Sequence, residues 1–185
     1  DQGREVKPEI RAWWPAAALV ALAAVAYANS FGAGFVMDNS AIILADPRLR
    51  VESWDNLQLI FARDYWWPNF PSNLYRPLTT LSYWMNFSFF GGGVAPFGYH
   101  AVNLTLHAAN AVLLWRLALR VGAARDVAWL AAAIFAVHPL GVEAVTNIVG
   151  RADLLTTGGI LVTAFAWLHA EAAAATREMW KWRGV

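Results

Sequence analysis

Residues 13 to 27 carry no charge, and further apolar stretches follow at about 97–119, 127–142 and 154–175. At 1.5 Å per helical residue, runs near 20 residues match a hydrocarbon core of about 30 Å. The pattern predicts an all-α integral membrane chain, with about four transmembrane helices over 12–31, 97–119, 127–142 and 154–175. Arg11 with Trp13-Trp14 forms an interfacial anchor ahead of the first run. A signal peptide is the competing reading of that run, but Ala16 to Ala28 is long for such a segment and a membrane pattern continues downstream. The third run is short and meets Pro139 after His138, which stops or kinks a helix and leaves Leu140 to Arg151 as a re-entrant or surface-lying connection.

Residues 32–96 form the long connection of this pattern, and they are too apolar for a flexible linker. Ser53 suits an N-cap for a helix whose Trp54, Leu57, Ile60 and Phe61 share a face. Pro77 suits a first helical turn, and Leu78, Leu81, Met85 and Phe89 recur at helical spacing before Gly91-Gly92-Gly93. Both segments read as amphipathic helices on the outer leaflet, with Tyr65-Trp66-Trp67 at headgroup depth. No internal repeat is visible, so residues 1–185 read as a single membrane module. Position 1 is not Met, and the module reads as a fragment of a longer chain.

Charge sets the orientation. With both termini and the 116–126 connection in the cytoplasm, Arg4, Lys7, Arg11, Arg116, Arg120, Arg125, Arg177, Lys181 and Arg183 lie inside. Arg48, Arg50, Arg63, Arg76 and Arg151 then lie outside, and these two groups are all 14 basic residues of the chain. A hydrophobic fraction of 58% against 15% charged residues, with mean hydropathy +0.39, agrees with the membrane class. The net charge of +1 supplies no basic face for nucleic acid. The absence of cysteine removes disulfides, thiolate metal sites and cysteine nucleophiles.

Candidate chemistry gathers at the outer surface. Asp38 follows the first span closely, where a carboxylate can act as general base beside a lipid-linked phosphate; the plainer alternative makes Asp38-Asn39-Ser40 a turn or helix cap. Arg76 and Arg151 are outer cations suited to phosphate oxygens, or else to lipid headgroups. Tyr99, Asn103, His107 and Asn110 recur on one face of the second span, so they should face protein or a wet cavity, and interhelical hydrogen bonding is the cheaper explanation. His138 and Glu143 can join that cavity or form an ion pair that holds the loop. His107, His138 and His169 also admit a reading as ligands to haem or pigment, without paired-histidine spacing to strengthen it. Asn86-Phe87-Ser88 and Asn103-Leu104-Thr105 match the N-glycosylation pattern weakly.

Several stretches in shared order resemble the membrane region of the transmembrane and tetratricopeptide-repeat O-mannosyltransferases and their bacterial relatives, in the GT-C glycosyltransferase superfamily. They are Phe35-Val36-Met37-Asp38-Asn39, Tyr75-Arg76-Pro77-Leu78-Thr79, Tyr99-His100 with Asn103 and His107, Phe135-Ala136-Val137-His138-Pro139, and Glu143-Ala144-Val145 running into Gly150-Arg151-Ala152-Asp153-Leu154-Leu155. The resemblance implies part of a GT-C module that transfers a sugar from a polyprenyl-phosphate donor to an acceptor hydroxyl, with inversion. Asp38 matches the family's catalytic carboxylate. Arg76 and Arg151 would bind the donor phosphate, and Asn39, Tyr75, Asn103, His107, His138, Glu143 and Asp153 would line the same cavity. Eukaryotic members usually have two adjacent acids where this chain has Asp38-Asn39. A full module has more spans and a repeat domain of about 34-residue units.

The implied setting is a bacterial inner membrane, with membrane lipid, the lipid-linked donor and a protein or glycan acceptor as partners, and no nucleic acid. No resident cofactor or metal-ligand set is read, and a divalent metal is left open. The rival reading is a non-catalytic subunit of a membrane complex that binds lipid, pigment or neighbouring subunits.

Overall fold

Pro15 in the first turn of α1 (Trp14–Ala26) sits where a missing N–H costs nothing, and alanine carries the helix for 13 residues. The computed structural model describes residues 13–36, 38–90 and 95–183, with side chains as far as position 174. After α1 come a 3-10 turn (Ala28–Gly32), a π-helical stretch (Ser40–Leu44), a second 3-10 turn (Pro47–Leu49), α2 (Trp54–Ala62) and α3 (Pro77–Phe89). Then follow α4 (Pro96–Arg120), α5 (Arg125–Val137), the short α6 (Gly141–Val145), a 3-10 turn (Ile148–Gly150) and α7 (Arg151–Arg183). The described residues are thus all-helical. Arg4, Lys7, Arg11, Gly91-Gly92-Gly93 and the side chains of Arg177, Lys181 and Arg183, all used in the sequence reading, lie outside the described residues.

Among the described residues, two helical runs are long and apolar enough to cross a membrane, Pro96–Arg120 and Ile148–Ala174. α1 and α5 have 13 residues each, and at 1.5 Å per residue each extends about 20 Å. The expected boundaries therefore shift. The first helix stops at Ala26 rather than 31, where Tyr27 leaves helical geometry and the 3-10 turn takes over. The third stops at Val137 rather than 142, because the residue before a proline is driven out of the helical region, and His138 has φ −65° and ψ 131°. The fourth starts at Arg151 rather than 154. Between them, Leu140 to Gly150 is no loose loop, since α6 and its 3-10 turn bury Val145 and Ile148.

α1, α4, α5 and α7 pack as a bundle centred on α4, with alternating direction. At one end Trp129 Nε1 of α5 donates to the Pro15 carbonyl of α1 at 3.1 Å, and Trp115 near the end of α4 packs with Leu19 and Ala128. At the other end the Tyr27 hydroxyl donates to the His138 carbonyl at 2.7 Å. Ala23, Ala108, Ala111 and Ala136 line the crossing, where small side chains let backbones approach. α2, α3 and the turns before them cover this second end.

Along α3 and α4 polar side chains are buried while several large apolar ones face outward, beside apolar clusters that fill the rest of the interior. On α3 the buried residues are Thr79, Thr80, Tyr83 and Asn86, while Leu78 is 68% and Phe89 76% exposed. On α4, His100, Asn103, His107 and Asn110 are buried, and Leu130 and Ile134 of α5 and Ile160 of α7 face outward. Polar groups seek partners inside and apolar groups tolerate the outside where the surroundings are themselves apolar.

α2 starts as read, with Ser53 Oγ accepting the Asn56 N–H at 3.1 Å. Its apolar arc is not buried as a unit, because the core meets only the Ile60 edge, and Trp54 and Phe61 turn outward. Tyr65 also departs from the expected headgroup position. It is buried with Ile42, Ile43, Leu49, Tyr83, Tyr99 and Ile148, and Trp66 packs half-buried on that cluster.

Candidate active site

Arg151 organises the covered end of the bundle. Its guanidinium is fully buried at the first residue of α7, and its donors are committed to the protein. Nε donates to Asn103 Oδ1 at 2.8 Å; one terminal nitrogen reaches the Ser82 carbonyl at 3.1 Å and Ser82 Oγ at 3.4 Å; the other reaches Asn86 Oδ1 at 2.9 Å and the Tyr99 carbonyl at 3.0 Å. The rings of Tyr83 and Tyr99 lie 4.8 and 5.6 Å from its central carbon. No carboxylate of the described residues pairs with it. The charge is held by dipoles and ring faces, which joins α3, α4 and α7 into one unit.

Asn103 extends the joint. Its Nδ2 lies 3.4, 3.2 and 3.2 Å from the carbonyls of Val145, Asn147 and Ile148, so one amide binds both Arg151 and the segment leading to it. The two weak glycosylation matches fall on Asn86 and Asn103, both buried and engaged by Arg151.

Asp38 is exposed, in the helical turn that runs into Ser40–Leu44. Asn39, its neighbour, is buried, and its Oδ1 accepts the Val149 N–H at 3.1 Å. The Asp38 turn is therefore pinned to the residues just before Arg151. Phe35, three residues before Asp38, sets its ring edge-on to Tyr99 at 5.5 Å. An exposed carboxylate thus stands on a backbone fixed from below.

Arg76, half-exposed before α3, lies with its central carbon 5.2 Å from the Tyr65 ring. The Tyr65 and Tyr83 hydroxyls are 3.3 Å apart, and Tyr83 donates to the Ile148 carbonyl at 3.4 Å. Two tyrosines therefore connect Arg76 at the surface to Arg151 in the interior. Burial raises the Tyr65 phenol and pushes Tyr83 well above its ordinary range, so both remain neutral hydroxyls near neutral pH.

The other expected site residues divide into two groups. His107 Nε2 lies 3.1 Å from the Ala136 carbonyl, and Asn110 Nδ2 donates to the Leu154 carbonyl at 2.8 Å. With Asn103 they are interhelical ties, the cheaper of the two explanations for the polar stripe. Tyr75, His138, Glu143 and Asp153 are exposed. The Tyr75 hydroxyl donates to the Phe61 carbonyl at 2.9 Å, His138 Nδ1 accepts the Leu140 N–H at 3.2 Å, and Glu143 Oε1 accepts from Asn147 Nδ2 at 2.8 Å. His138 and Glu143 thus have separate partners. Phe165 lies 5.0 Å from His169, so the three histidines of the pigment reading engage three different neighbours. Among the described residues, no group of three His, Asp or Glu side chains gathers as metal ligands.

Arg48, read from sequence only as an outer cation, forms with Asp46 a fully buried ion pair at 2.7 Å that the sequence did not reveal. Arg48 also reaches the carbonyls of Asp64 at 3.0 Å and Trp67 at 3.3 Å, with its central carbon 5.3 Å from the Trp67 ring. Asp46 accepts the Arg48 backbone N–H at 2.9 Å. The signal was present in Asp46-Pro47-Arg48, where a proline turn brings an acid and a base two residues apart onto one side. Together these contacts fix the Asp64–Trp67 stretch against the Pro47–Leu49 turn.

Curated proteins resemble this chain over most of its length. The Drosophila melanogaster protein O-mannosyl-transferase Tmtc2 is 38% identical over 152 residues, covering 80% of this chain and 16% of that protein. Human protein O-mannosyl-transferase TMTC4 is 34% identical, covering 77% of this chain and 21% of the relative. Mouse protein O-mannosyl-transferase TMTC3 is 34% identical, covering 75% and 15%. The chain spans about a fifth or less of the length of these relatives. No family model matches, and no solved structure matches.

Proposed function

This chain belongs to the TMTC O-mannosyl-transferase family over the part it spans, and from that premise we propose that it forms the catalytic end of a membrane glycosyltransferase. The full-length protein transfers a sugar from a polyprenyl-phosphate donor to an acceptor hydroxyl at the outer face of the membrane. Asp38 is the general base that takes the acceptor proton as the lipid phosphate leaves. Arg76 meets the phosphate oxygens as a half-exposed cation. Arg151, named with Arg76 for that task in the sequence reading, has its N–H groups engaged by protein acceptors and serves here to position the site.

The observation that carries this reading is the contrast at Asp38-Asn39, an exposed carboxylate beside a buried amide clamped to Val149. A general base must be both accessible and fixed. By the resemblance, Asn39 stands where eukaryotic members usually have a second acid, and its oxygen is spent on the Val149 N–H, which leaves the proton transfer to Asp38 alone.

The topology goes with this reading. α1, α4, α5 and α7 each cross the bilayer, both ends are cytoplasmic, and the compartment is a bacterial inner membrane. Support for the four crossings comes from the alternating direction of the helices and from outward apolar side chains such as Val25, Phe97, Ile134 and Ile160, and the cytoplasmic ends follow from the basic residues of the flanks. α1 and α5, with 13 residues each, are short for a span. α2 and α3 lie on the outer leaflet, with Leu78, Met85 and Phe89 toward lipid.

Donor choice tests the proposal. Purified full-length protein with an acceptor peptide should transfer mannose from polyprenyl-phosphate mannose and not from a nucleotide-linked sugar. Transfer from the nucleotide sugar alone would overturn the donor assignment.

A further inference from the structure

Four arginines of the covered end are held in different ways. Arg48 gives its donors to Asp46 and to the Asp64 and Trp67 carbonyls, Arg50 to the Ile43 and Leu44 carbonyls, and Arg151 to Ser82, Asn86, Tyr99 and Asn103. Arg76 has no such commitment, since no carboxylate or carbonyl of the described residues accepts from its N–H groups. What lies against it is the ring of Tyr65, with the centroid 5.2 Å from the guanidinium carbon. An aromatic face attracts a cation through its quadrupole and carries no net charge. A carboxylate in that place would neutralise Arg76 and occupy its fork; the ring holds the group and leaves both charge and fork for an incoming anion.

Both sides of this contact are fixed by the backbone. The Tyr65 N–H donates at 2.7 Å to the carbonyl of Leu74, two residues before Arg76, and the Arg76 carbonyl accepts the Thr80 N–H at 3.1 Å and the Thr80 hydroxyl at 3.3 Å. Tyr65 is 3% exposed, in the cluster of Ile43, Leu49 and Tyr83, and its hydroxyl lies 3.3 Å from that of Tyr83. Burial raises the Tyr65 phenol, and the Tyr83 hydroxyl and the Arg76 charge work against that rise, as the closeness of the three groups requires. The ring is a neutral, fixed face beside a half-exposed cation.

We propose that Tyr65 is the positioning residue of the donor-phosphate site, its ring face holding the Arg76 guanidinium so that the N–H groups are presented, uncommitted, to the phosphate oxygens. The inference rests on the function proposed above and deepens its donor site. Tyr65 touches neither sugar nor phosphate; it acts through Arg76. Holding the cation in place beforehand spares donor binding the entropy of ordering a long side chain, so the gain falls on the donor KM while kcat is unmoved. A tyrosine that only fills the core would lower stability when altered and leave donor binding alone.

The test changes the ring face without changing its shape. In the full-length protein, Tyr65→Phe keeps the face, whereas pentafluorophenylalanine at position 65 keeps a ring of similar size and reverses its quadrupole. Tyr65→Phe should leave the donor KM, and the Kd for farnesyl phosphate in detergent micelles, within about threefold of wild type, while the fluorinated ring should raise both by about tenfold at unchanged kcat. Arg76→Ala should weaken farnesyl phosphate binding at least as much, and in that background the two rings should behave alike. Equal KM and Kd for the two rings, with Arg76→Ala still weakened, would overturn the role of Tyr65 and leave Arg76 as the phosphate ligand. Undiminished binding by Arg76→Ala would overturn the phosphate reading of Arg76 and this inference with it. A lowered unfolding midpoint with the fluorinated ring and no change in Kd would make Tyr65 a core residue only and overturn the inference.

Discussion

Asn103 Oδ1 accepts the Arg151 Nε–H at 2.8 Å, across 48 residues of chain and deep between two helices. The fork of Arg151 matches its acceptors in direction as well as number, which a lysine cannot reproduce. Hydrogen bonds to a charged group contribute about 1.5–3 kcal/mol each, and removing one partner leaves the others buried and unmet. Arg151→Lys should therefore lower stability by about 3 kcal/mol or more, read as the thermal unfolding midpoint in detergent micelles. An unchanged midpoint would mean that the cation does not hold the helices together.

The amide of Asn39 serves the backbone N–H of Val149 at 3.1 Å. Asn39→Ala leaves that part-buried donor without its protein partner, a cost of about 1 kcal/mol. Ser40→Ala, at an exposed neighbour, should stay within about 0.5 kcal/mol. Denaturant unfolding of both variants checks the difference, and equal stability would remove Asn39 from the support of the site.

Gly150 is required by close approach. A Cβ placed there would overlap the Glu143 carbonyl oxygen and lie 2.6 Å from Ala144 Cα, both backbone atoms that cannot rotate away. Gly150→Ala should cost about 1–3 kcal/mol, and because residue 150 precedes Arg151 it should also slow transfer by the full-length protein. A variant as stable and active as wild type would contradict the packing described here.

Much of this was legible in the chain. The four-residue spacing of Asn103 and His107, and the proline at position 77, follow from helical geometry and from the missing N–H of proline. Reading inward polarity from cost also succeeded, since Asn103, His107 and Asn110 all found interhelical partners. What escaped was set by contacts distant in sequence. Arg151 reads locally as an outer cation free for phosphate, and only the convergence of Ser82, Asn86, Tyr99 and Asn103 engages its donors. The ends of α1 and α5 were overrun because hydropathy continues past Tyr27 and Val137, whereas backbone geometry does not. The pairing of Asp46 with Arg48 passed unremarked, with Arg48 counted only as an outer cation, because a buried ion pair looks like two surface charges until the loop that covers it is known.

Orientation is open to a direct check by single-cysteine labelling, since residues 1–185 contain no cysteine and any elsewhere in the full-length protein is replaced first. Cysteines introduced at the exposed Glu52 and Ala124 should differ in intact cells: an impermeant thiol reagent should label position 52 and leave position 124 unlabelled until the membrane is opened. Labelling of both from outside would contradict the crossing of α4.

The central claim is that Asp38 removes the acceptor proton, and the rate of sugar transfer by full-length Asp38→Asn tests it most directly. Asparagine keeps the size and much of the hydrogen bonding while abolishing the proton acceptor. General-base catalysis contributes about 10²–10⁴-fold, so transfer should fall by that factor while the unfolding midpoint stays at the wild-type value. Transfer at the wild-type rate would contradict the account and return Asp38 to a turn residue.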